Sequence, residues 1–178
     1  INLKMNKKDI TNLKNLLNKK KFRFNNYQEI PKFIQKDLLK KSIKLNYRQH
    51  QLLLDESRLK FLTKNLKKKP KKVTEIGSNL GYFVFNLARK YNAKITGYEP
   101  IKNYAKITKQ LSKFAKLEKN IIIINDSIKL SNIKKLEKTD LIVELNVLHH
   151  AGNYFDILSV KKLGSWRNYA LKRLTLLK

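Results

Sequence analysis

The segment that most constrains the fold is residues 73–83, with the sequence Val-Thr-Glu-Ile-Gly-Ser-Asn-Leu-Gly-Tyr-Phe. Its apolar first residues predict a short strand, and its glycines predict a tight turn. The residues after Gly81 predict a helix with one apolar face. Gly77 can adopt backbone angles closed to other residues, and Gly81 has no side chain to hold the helix away from the strand or from a ligand. A strand, glycine turn and helix in this order are typical of a nucleotide-binding turn. We expect a ligand there to meet free backbone N–H groups and the helix dipole, which favour a carboxylate or phosphate.

Strand and helix patterns alternate from residue 71 onward. Apolar runs predict strands at residues 72–76, 95–99, 121–125 and 141–145, and helical spacing predicts helices at residues 81–91, 101–117 and 131–137. This alternation predicts an α/β fold with a mainly parallel sheet flanked by helices. Four consecutive isoleucines at 121–124 further predict a strand buried on both faces.

The first 70 residues have a different character. They carry 20 basic and five acidic residues and no strand-like segment, so we expect a basic helical N-terminal region. Apolar residues at helical spacing mark a first and a third helix, and Pro31 is suited to begin a second. The predicted domains are therefore residues 1–70, helical, and residues 71–178, α/β. The basic face would either approach a substrate or simply be solvated.

The composition excludes several classes of protein. A chain of 178 residues with 42% hydrophobic residues can bury a core. It has no cysteine and only three histidines, so we expect neither disulfides nor a metal site. No apolar run reaches the roughly 20 residues of a membrane span, and no signal-peptide pattern opens the chain. These features predict a cytoplasmic protein.

The net charge of +28 comes from 41 basic and 13 acidic residues. Such a charge would attract RNA, DNA or an anionic membrane surface. Lysine, asparagine and isoleucine all have AT-rich codons, however, so genome composition is a second explanation. Both explanations stay open at this point.

The spacing of the glycines argues against a dinucleotide site. A G-x-G-x-x-G fingerprint would place glycine at Asn79 and Tyr82. The pattern present is Glu75-x-Gly77-x-x-x-Gly81. Polar residues follow each later strand, and these are Glu99-Pro100, Asp126-Ser127 and the segment Glu144-Leu-Asn146-Val-Leu-His149-His150.

These four motifs together resemble the Rossmann-like, class I S-adenosylmethionine-dependent methyltransferases. The resemblance covers residues 71–153, and the glycine motif also looks like the branch of tRNA wobble-uridine methyltransferases. It implies that Glu99 binds both ribose hydroxyls and that Asp126 faces the adenine amino group. It also implies that the backbone of residues 77–81 holds the methionine portion, while Glu75 orders the loop or reaches the ammonium group. The cofactor-binding set is thus Glu75, Gly77, Ser78, Asn79, Gly81, Tyr82, Glu99, Pro100, Asp126, Ser127, Glu144 and Asn146.

Several of these residues have simpler explanations. Asp126 would equally cap or turn the chain after its strand, and Glu144 would be an ordinary strand-end carboxylate. His149 and His150 are the candidate catalytic residues because an imidazole can act as a general base near neutral pH, but they would also serve only to shape the pocket. Methyl transfer needs little covalent chemistry from a protein, since positioning the acceptor can supply most of the acceleration.

Two further segments suggest contacts with ligands. The resemblance implies that the helix after Tyr47 and Arg48 covers the cofactor, where Arg48 would pair with the cofactor's carboxylate; a surface helix is the alternative. Aromatic residues alternate with lysine and arginine at positions 19–27, a pattern that would stack bases and neutralise phosphates or anchor a helix. RNA, particularly tRNA, is therefore the first expectation for an acceptor.

The carboxyl-terminal part departs from the family pattern. A complete methyltransferase of this type has seven strands, so we expect the C-terminal sheet to be truncated. Ser165 is a good N-cap for a last helix, whose apolar residues would cover the fourth strand or another subunit. The alternatives are a fragment, a homo-oligomer or partner subunit that covers the sheet edge, and a binding protein that kept only the cofactor half.

The sequence therefore predicts an S-adenosylmethionine-dependent methyltransferase with RNA as acceptor. A small-molecule methyltransferase of the same fold is one alternative. A non-catalytic cofactor- or RNA-binding protein is the other.

Overall fold

The computed structural model describes residues 7–17, 28–43 and 49–178. The helices are α1 (Lys7–Leu17), α2 (Lys32–Lys40), α3 (Gln49–Lys64), α4 (Tyr82–Tyr91), α5 (Lys102–Phe114), α6 (Ile157–Lys162) and α7 (Trp166–Leu176). The strands are β1 (Lys72–Ile76), β2 (Lys94–Tyr98), β3 (Ile121–Ile124) and β4 (Leu141–Glu144). Short 3₁₀ helices cover Ile133–Lys135 and Leu148–His150.

The four strands form one sheet in the order β3-β2-β1-β4, and all three pairs are parallel. The predicted α/β architecture with a parallel sheet is therefore confirmed. Because the strands run in the same direction, their carboxyl ends lie at one edge of the sheet. The turn after β1, the end of β2 and the loop after β4 consequently meet there.

The prediction for the four isoleucines was wrong in one respect. β3 is at the border of the described sheet, and Ile122 is 63% exposed while Ile121 and Ile123 are buried. An edge strand covered on one face needs only alternate residues to be apolar. The run of isoleucines therefore did not identify a central strand.

The main core lies between the sheet and the helices. It joins strand residues such as Val73 and Ile95 to helix residues such as Phe83, Phe85 and Leu111. A smaller cluster around Ile76, Ile128 and Ile133 includes Ile142, Leu176 and Leu177 at its border. Since neighbouring residues of a strand point to opposite faces, the two clusters cover opposite sides of the sheet.

The described N-terminal helices belong to the same core as the sheet. Leu13 and Leu16 of α1 and Ile34 and Leu38 of α2 are buried in the main cluster. Pro31 directly precedes α2, as predicted. The division into two domains at residue 70 stays a prediction. No helix formed by the described residues is both long and apolar enough to cross a membrane.

The carboxyl-terminal helix is anchored by a buried arginine. Ser165 caps α7 as predicted, its Oγ accepting a hydrogen bond of 3.1 Å from the Asn168 N–H. Arg173 of α7 is fully buried and forms an ion pair with Glu144 at the end of β4. In the described part of the chain no strand pairs with the outer edge of β4. The expectation that another subunit covers this edge stays a prediction.

Candidate functional site

The glycine turn after β1 has the left-handed backbone that its sequence predicts. Gly77 has φ = 78°, Asn79 has φ = 45° and Gly81 has φ = 82°. A Cβ atom on Gly77 would lie 2.4 Å from Cγ2 of Val147, and one on Gly81 would lie 2.8 Å from Thr108. Gly81 therefore permits close packing of α4 against α5, and Gly77 permits close approach of the loop after β4.

The expectation of free N–H groups in this turn was wrong. The amides of Gly77 and Ser78 both donate to the Tyr98 carbonyl, at 2.8 and 3.0 Å. The amides of the next four residues also have acceptors within the chain, namely Glu99, the Asn79 side chain, the Ser78 carbonyl and Gln28. The turn satisfies its own donors because it curls back onto β2, so an anion needs a donor from elsewhere.

Glu99 holds the turn against the end of β2. Its Oε2 accepts a hydrogen bond of 2.7 Å from the Asn79 amide, and its Oε1 accepts one of 2.8 Å from the Ile101 amide. The residue is only 4% exposed. Burial raises the pKa of Glu99, while these two backbone hydrogen bonds oppose the rise. Asn125 supports the same corner by donating to the carbonyls of Glu99 and Pro100.

A cleft of about 410 Å³ opens at this edge of the sheet. It brings together seven of the predicted residues, which are Gly77, Asn79, Glu99, Pro100, Asn146, His149 and His150. Its remaining walls were not predicted, and they are formed by Gln28, Asp55, Arg58, Phe83, Ile101, Leu145 and Val147. The cleft therefore combines the strand ends with residues from the N-terminal region.

Gln28 connects the N-terminal region to the glycine turn. Its Nε2 donates to Glu75 Oε1 at 3.2 Å, and its Oε1 accepts from the Tyr82 amide at 3.1 Å. The side chain thus bridges the end of β1 and the start of α4. Sequence reasoning missed this residue because a single glutamine in a region without a motif carries no signal of its partners.

Four of the 13 acidic residues are buried at or behind the cleft: Glu29, Asp55, Glu75 and Glu99. Burial raises the pKa of Glu75 to about 8, although hydrogen bonds from Gln28 and from the Val84 amide act to lower it. Burial likewise raises the pKa of Glu29 to about 7, against a hydrogen bond from Gln35. One oxygen of Glu29 and one of Glu75 are buried without a partner in the described chain. This region consequently disfavours additional negative charge.

Two charged residues of α3 also reach the cleft. Asp55 is buried, and its Oδ2 accepts a hydrogen bond of 2.9 Å from the Glu29 amide. Arg58 lies one turn further along the helix, with its NH1 3.9 Å from Asp55 Oδ1. Among the described lining residues Arg58 is the sole lysine or arginine. The cleft wall thus presents both signs of charge within one helical turn.

The two histidines lie side by side after β4. Their ring centroids are 3.9 Å apart, and His150 also contacts the ring of Tyr154. Burial and the neighbouring His149 lower the pKa of His150. His150 is therefore neutral at pH 7, the form in which an imidazole nitrogen can accept a proton.

The other predicted site residues lie outside the cleft lining. Glu75 and Ser78 are buried behind the turn, while Gly81 and Tyr82 begin α4. Asp126 is exposed, and its Oδ1 accepts a hydrogen bond of 2.7 Å from the Ser127 amide. This contact fits the simpler explanation, in which Asp126 turns the chain after its strand.

Glu144 also differs from the expectation. Its Oε1 accepts hydrogen bonds of 2.8 and 3.0 Å from the guanidinium of Arg173. Arg173 belongs to α7, 29 residues further along the chain. The Glu144 carboxylate is thus committed to anchoring α7. Tyr47, Arg48 and the basic and aromatic residues at 19–27 lie outside the described residues. No group of three or more histidine, cysteine or acidic residues suited to a metal ion occurs in the described chain.

Comparisons with known proteins are limited to structure. No protein-family model matches the sequence, and no curated protein matches it significantly. Among solved structures, WbdD, a bifunctional kinase-methyltransferase, superposes with a TM-score of 0.58 at 22% identity and covers 91% of this chain. This chain spans about a third of WbdD, since the superposition covers 34% of that protein.

Two further similar structures contain S-adenosylmethionine or S-adenosylhomocysteine. Magnesium protoporphyrin IX methyltransferase from Synechocystis PCC 6803, with bound S-adenosylmethionine, has a TM-score of 0.51 at 18% identity and covers 99% of this chain and 74% of its own. The N-terminal domain of EvdMO1, with bound S-adenosylhomocysteine, has a TM-score of 0.53 at 14% identity and covers 71% of this chain and 58% of its own. At these identities the likeness concerns the fold.

Proposed function

We propose that this protein binds S-adenosylmethionine in the cleft and transfers its methyl group to an acceptor. The observation that carries the proposal is the position of Glu99, buried at the end of β2 and tied to the glycine turn by the Asn79 amide. Proteins of similar fold have been solved with S-adenosylmethionine or S-adenosylhomocysteine bound. The four sequence motifs support the same cofactor.

Glu99 retains the capacity to bind a ribose. An ionised carboxylate offers about four acceptor positions, and the Asn79 and Ile101 amides occupy two of them. The other two suit a pair of neighbouring hydroxyl groups. Pro100 and Ile101 line the adjoining wall, where their apolar surfaces suit an adenine ring. In this arrangement Gly77 and Asn79 face the methionine portion.

The chemistry at the cleft would be a single displacement. When bound, the sulfonium supplies an activated methyl group, and the acceptor's lone pair forms the new bond as the carbon–sulfur bond breaks. His150, neutral at pH 7, would take the proton that the acceptor loses, with His149 beside it. The lining of Phe83, Leu145 and Val147 would exclude water.

RNA is the acceptor that the charge distribution favours. Four exposed lysines follow one face of α5 at spacings of four, three and four residues: Lys102, Lys106, Lys109 and Lys113. This stripe begins next to Ile101, which lines the cleft, and continues for about 17 Å along the helix. A polyanion lying on the stripe would place one of its nucleotides at the cleft. The narrower assignment to tRNA wobble uridine stays a prediction.

Calorimetric titration with S-adenosylmethionine and S-adenosylhomocysteine tests the cofactor. We expect micromolar binding that weakens about tenfold or more in Glu99→Gln, because the amide can no longer accept as strongly from the ribose. Glu137→Gln is the matched control, since Glu137 is exposed and does not line the cleft. A folded chain that binds neither compound would refute the proposal.

Transfer of a labelled methyl group to total RNA, tRNA, protein and small-molecule extracts tests the acceptor. We expect labelled RNA, with activity that falls steeply as salt rises. Replacing Lys106 and Lys109 by glutamine should weaken RNA binding and leave cofactor affinity unchanged. Labelling confined to small molecules and insensitive to salt would instead establish the small-molecule alternative. His150→Gln should lower the rate at saturating cofactor.

A further inference from the structure

A second groove, of about 440 Å³, lies at the edge of the sheet opposite to the cleft. Its walls are formed by α2, by the last turn of α4 and by the chain just after α5. Both α4 and α5 begin at the carboxyl ends of strands and run back toward the amino ends, because they connect parallel strands. The groove and the cleft are therefore separate, and no residue lines both.

Positive charge dominates the lining of this groove. Three of its seven lining residues, Lys36, Lys40 and Arg89, are basic, and one, Asp37, is acidic. Lys40 forms an ion pair with Asp37 at 3.0 Å, so this carboxylate already has its cation. The side chains of Lys36 and Arg89 form neither an ion pair nor a hydrogen bond with the described residues. Two positive charges consequently line the groove without an acidic partner.

The remaining lining of the groove is apolar. Phe33 of α2 is half-buried, and the guanidinium carbon of Arg89 lies 4.3 Å from the centroid of its ring. Ala115 and Leu117 complete the lining. A guanidinium held over an aromatic ring keeps its five N–H donors in one plane, where oxyanions can accept from them. The groove thus offers cationic donors beside an apolar surface.

This combination suits a phosphate attached to a planar ring. Arginine and lysine bind phosphate oxygens, and bases stack on aromatic rings or on guanidinium planes. A flat bilayer surface would not enter a concave groove, and an acidic peptide would leave the apolar lining without a planar partner. Three exposed lysines adjoin the lining residues and extend the positive charge around the groove: Lys41, Lys90 and Lys116.

We propose that this groove binds a nucleotide of single-stranded RNA, with Lys36 and Arg89 contacting phosphates and the base lying against Phe33 and Arg89. The choice of RNA over DNA rests on the proposed acceptor, whereas the site itself requires no cofactor. The lysine stripe of α5 leads from the cleft toward this end of the helix, since Lys113 precedes Ala115 of the groove. The groove would hold the part of the strand that is remote from the methylated nucleotide.

Fluorescence anisotropy with labelled oligouridine of about 12 nucleotides tests the site on the full chain without cofactor. The variant combines Lys36→Gln and Arg89→Gln. The matched control combines Arg167→Gln and Lys172→Gln, which remove the same charges from exposed positions of α7 outside the groove.

The salt dependence of binding counts the phosphate contacts. For single strands each contact contributes about 0.7 to the slope of log affinity against log salt. We therefore expect the Lys36 and Arg89 variant to reduce the magnitude of the slope by about 1.4 and to weaken binding about ten- to thirtyfold at about 0.1 M salt. The control variant should leave both quantities nearly unchanged.

Phe33→Leu tests the contact with the base. Loss of the ring should weaken binding about five- to a hundredfold and leave the salt slope unchanged. Phe33→Tyr keeps the ring and should retain most of the affinity. Because Phe33 also borders the main core, urea denaturation would confirm that both variants are folded. Equal affinities of the two variants would overturn the assignment of base stacking.

The remaining outcomes separate this inference from the proposed function. If the Lys36 and Arg89 variant behaves like its control, the groove is refuted while the cofactor cleft and the α5 stripe stand. Uridine monophosphate that binds as tightly as oligouridine, or tighter binding of oligothymidine, would overturn the assignment to an RNA strand. If the folded wild type binds no oligouridine at low salt, the groove and the RNA acceptor both fall, and the cofactor titration decides the rest.

Discussion

Two buried polar regions lie on different parts of this sheet, and they differ in how many of their polar atoms have hydrogen-bond partners. Around Arg173, four of the five guanidinium N–H donors have acceptors, supplied by Glu144, the Ile128 carbonyl and the Tyr169 hydroxyl. Tyr169 in turn donates to Asp156, which also accepts from the Leu130 amide. Around the cleft, by contrast, Glu29 and Glu75 each keep a buried oxygen without a partner in the described chain.

The difference distinguishes a structural network from a candidate binding site. The Arg173 network connects β4, the segment after β3 and α7, and a satisfied buried network of this kind stabilises one arrangement. Among the described residues no lysine or arginine forms an ion pair with Glu75 or Glu99, whereas Asp55 approaches Arg58 at 3.9 Å. Burial raises the pKa of Glu75 to about 8, so this carboxyl remains largely protonated at neutral pH. Such incompletely satisfied groups are typical of functional sites.

The largest effect should come from Arg173→Met. This change leaves the Glu144 carboxylate buried and unpaired, so we expect the free energy of unfolding to fall by about 3–5 kcal/mol. Urea denaturation measures the loss. The double variant Arg173→Met with Glu144→Leu should recover much of it, because no charge remains buried. A loss below about 1 kcal/mol in the single variant would contradict a stabilising network.

Gly77→Ala should have the next largest effect, at the cleft. Alanine at φ = 78° costs about 1–3 kcal/mol, and its Cβ would also displace Val147 of the cleft wall. We expect losses of both stability and cofactor affinity, measured by urea denaturation and calorimetry. Adding Val147→Ala should relieve the steric clash, while the cost of placing alanine at a positive φ should remain. If the double variant is no better than the single one, the contact with Val147 is unimportant.

The buried carboxyl of Glu75 predicts a pH dependence. Its pKa rises from 4.5 to about 8 on folding, so between these values the native state holds more proton than the unfolded state. Stability from this group is therefore complete below pH 4.5 and is lost as pH rises toward 8, by at most about 1.4 kcal/mol per pH unit.

Glu75→Gln imitates the protonated form and should flatten the fall in stability with pH. Urea denaturation at pH 5, 6, 7 and 8 would show the difference from the wild type. Glu137→Gln, at an exposed position, should leave the slope unchanged. Parallel pH profiles for wild type and Glu75→Gln would show that Glu75 does not remain protonated in the native state.

The smallest effect concerns the start of α7. Ser165→Ala removes the side-chain acceptor for the Asn168 amide, and we expect a loss of about 1 kcal/mol. Ser165→Gly should cost less, since glycine is tolerated at an N-cap. Thermal or urea denaturation checks both. Cofactor affinity should be the same in both variants, because no residue of α7 lines the cleft.

Local patterns predicted most of the elements. β1 coincides with the predicted strand, β3 and β4 each end one residue earlier than predicted, and β2 both begins and ends one residue earlier than predicted. These segments were predictable because apolar strands and glycine turns depend on neighbouring residues. The site was predictable only where its residues follow strands, as Glu99 and Asn146 do. Gln28, Asp55 and Arg58 belong to segments whose packing no local pattern specifies.

The sequence by itself determined the strand–turn–helix unit, the parallel α/β class and the residues that end each strand, since backbone preference and hydrophobic spacing act over short distances. The tertiary structure decided that Glu144 pairs with Arg173, that Gln28 bridges Glu75 and Tyr82, and that α3 brings both charges to the cleft. The first two of these arrangements join residues 29 to 54 positions apart. Their formation depends on how helices pack on the sheet, a collective result of burial that no single segment encodes.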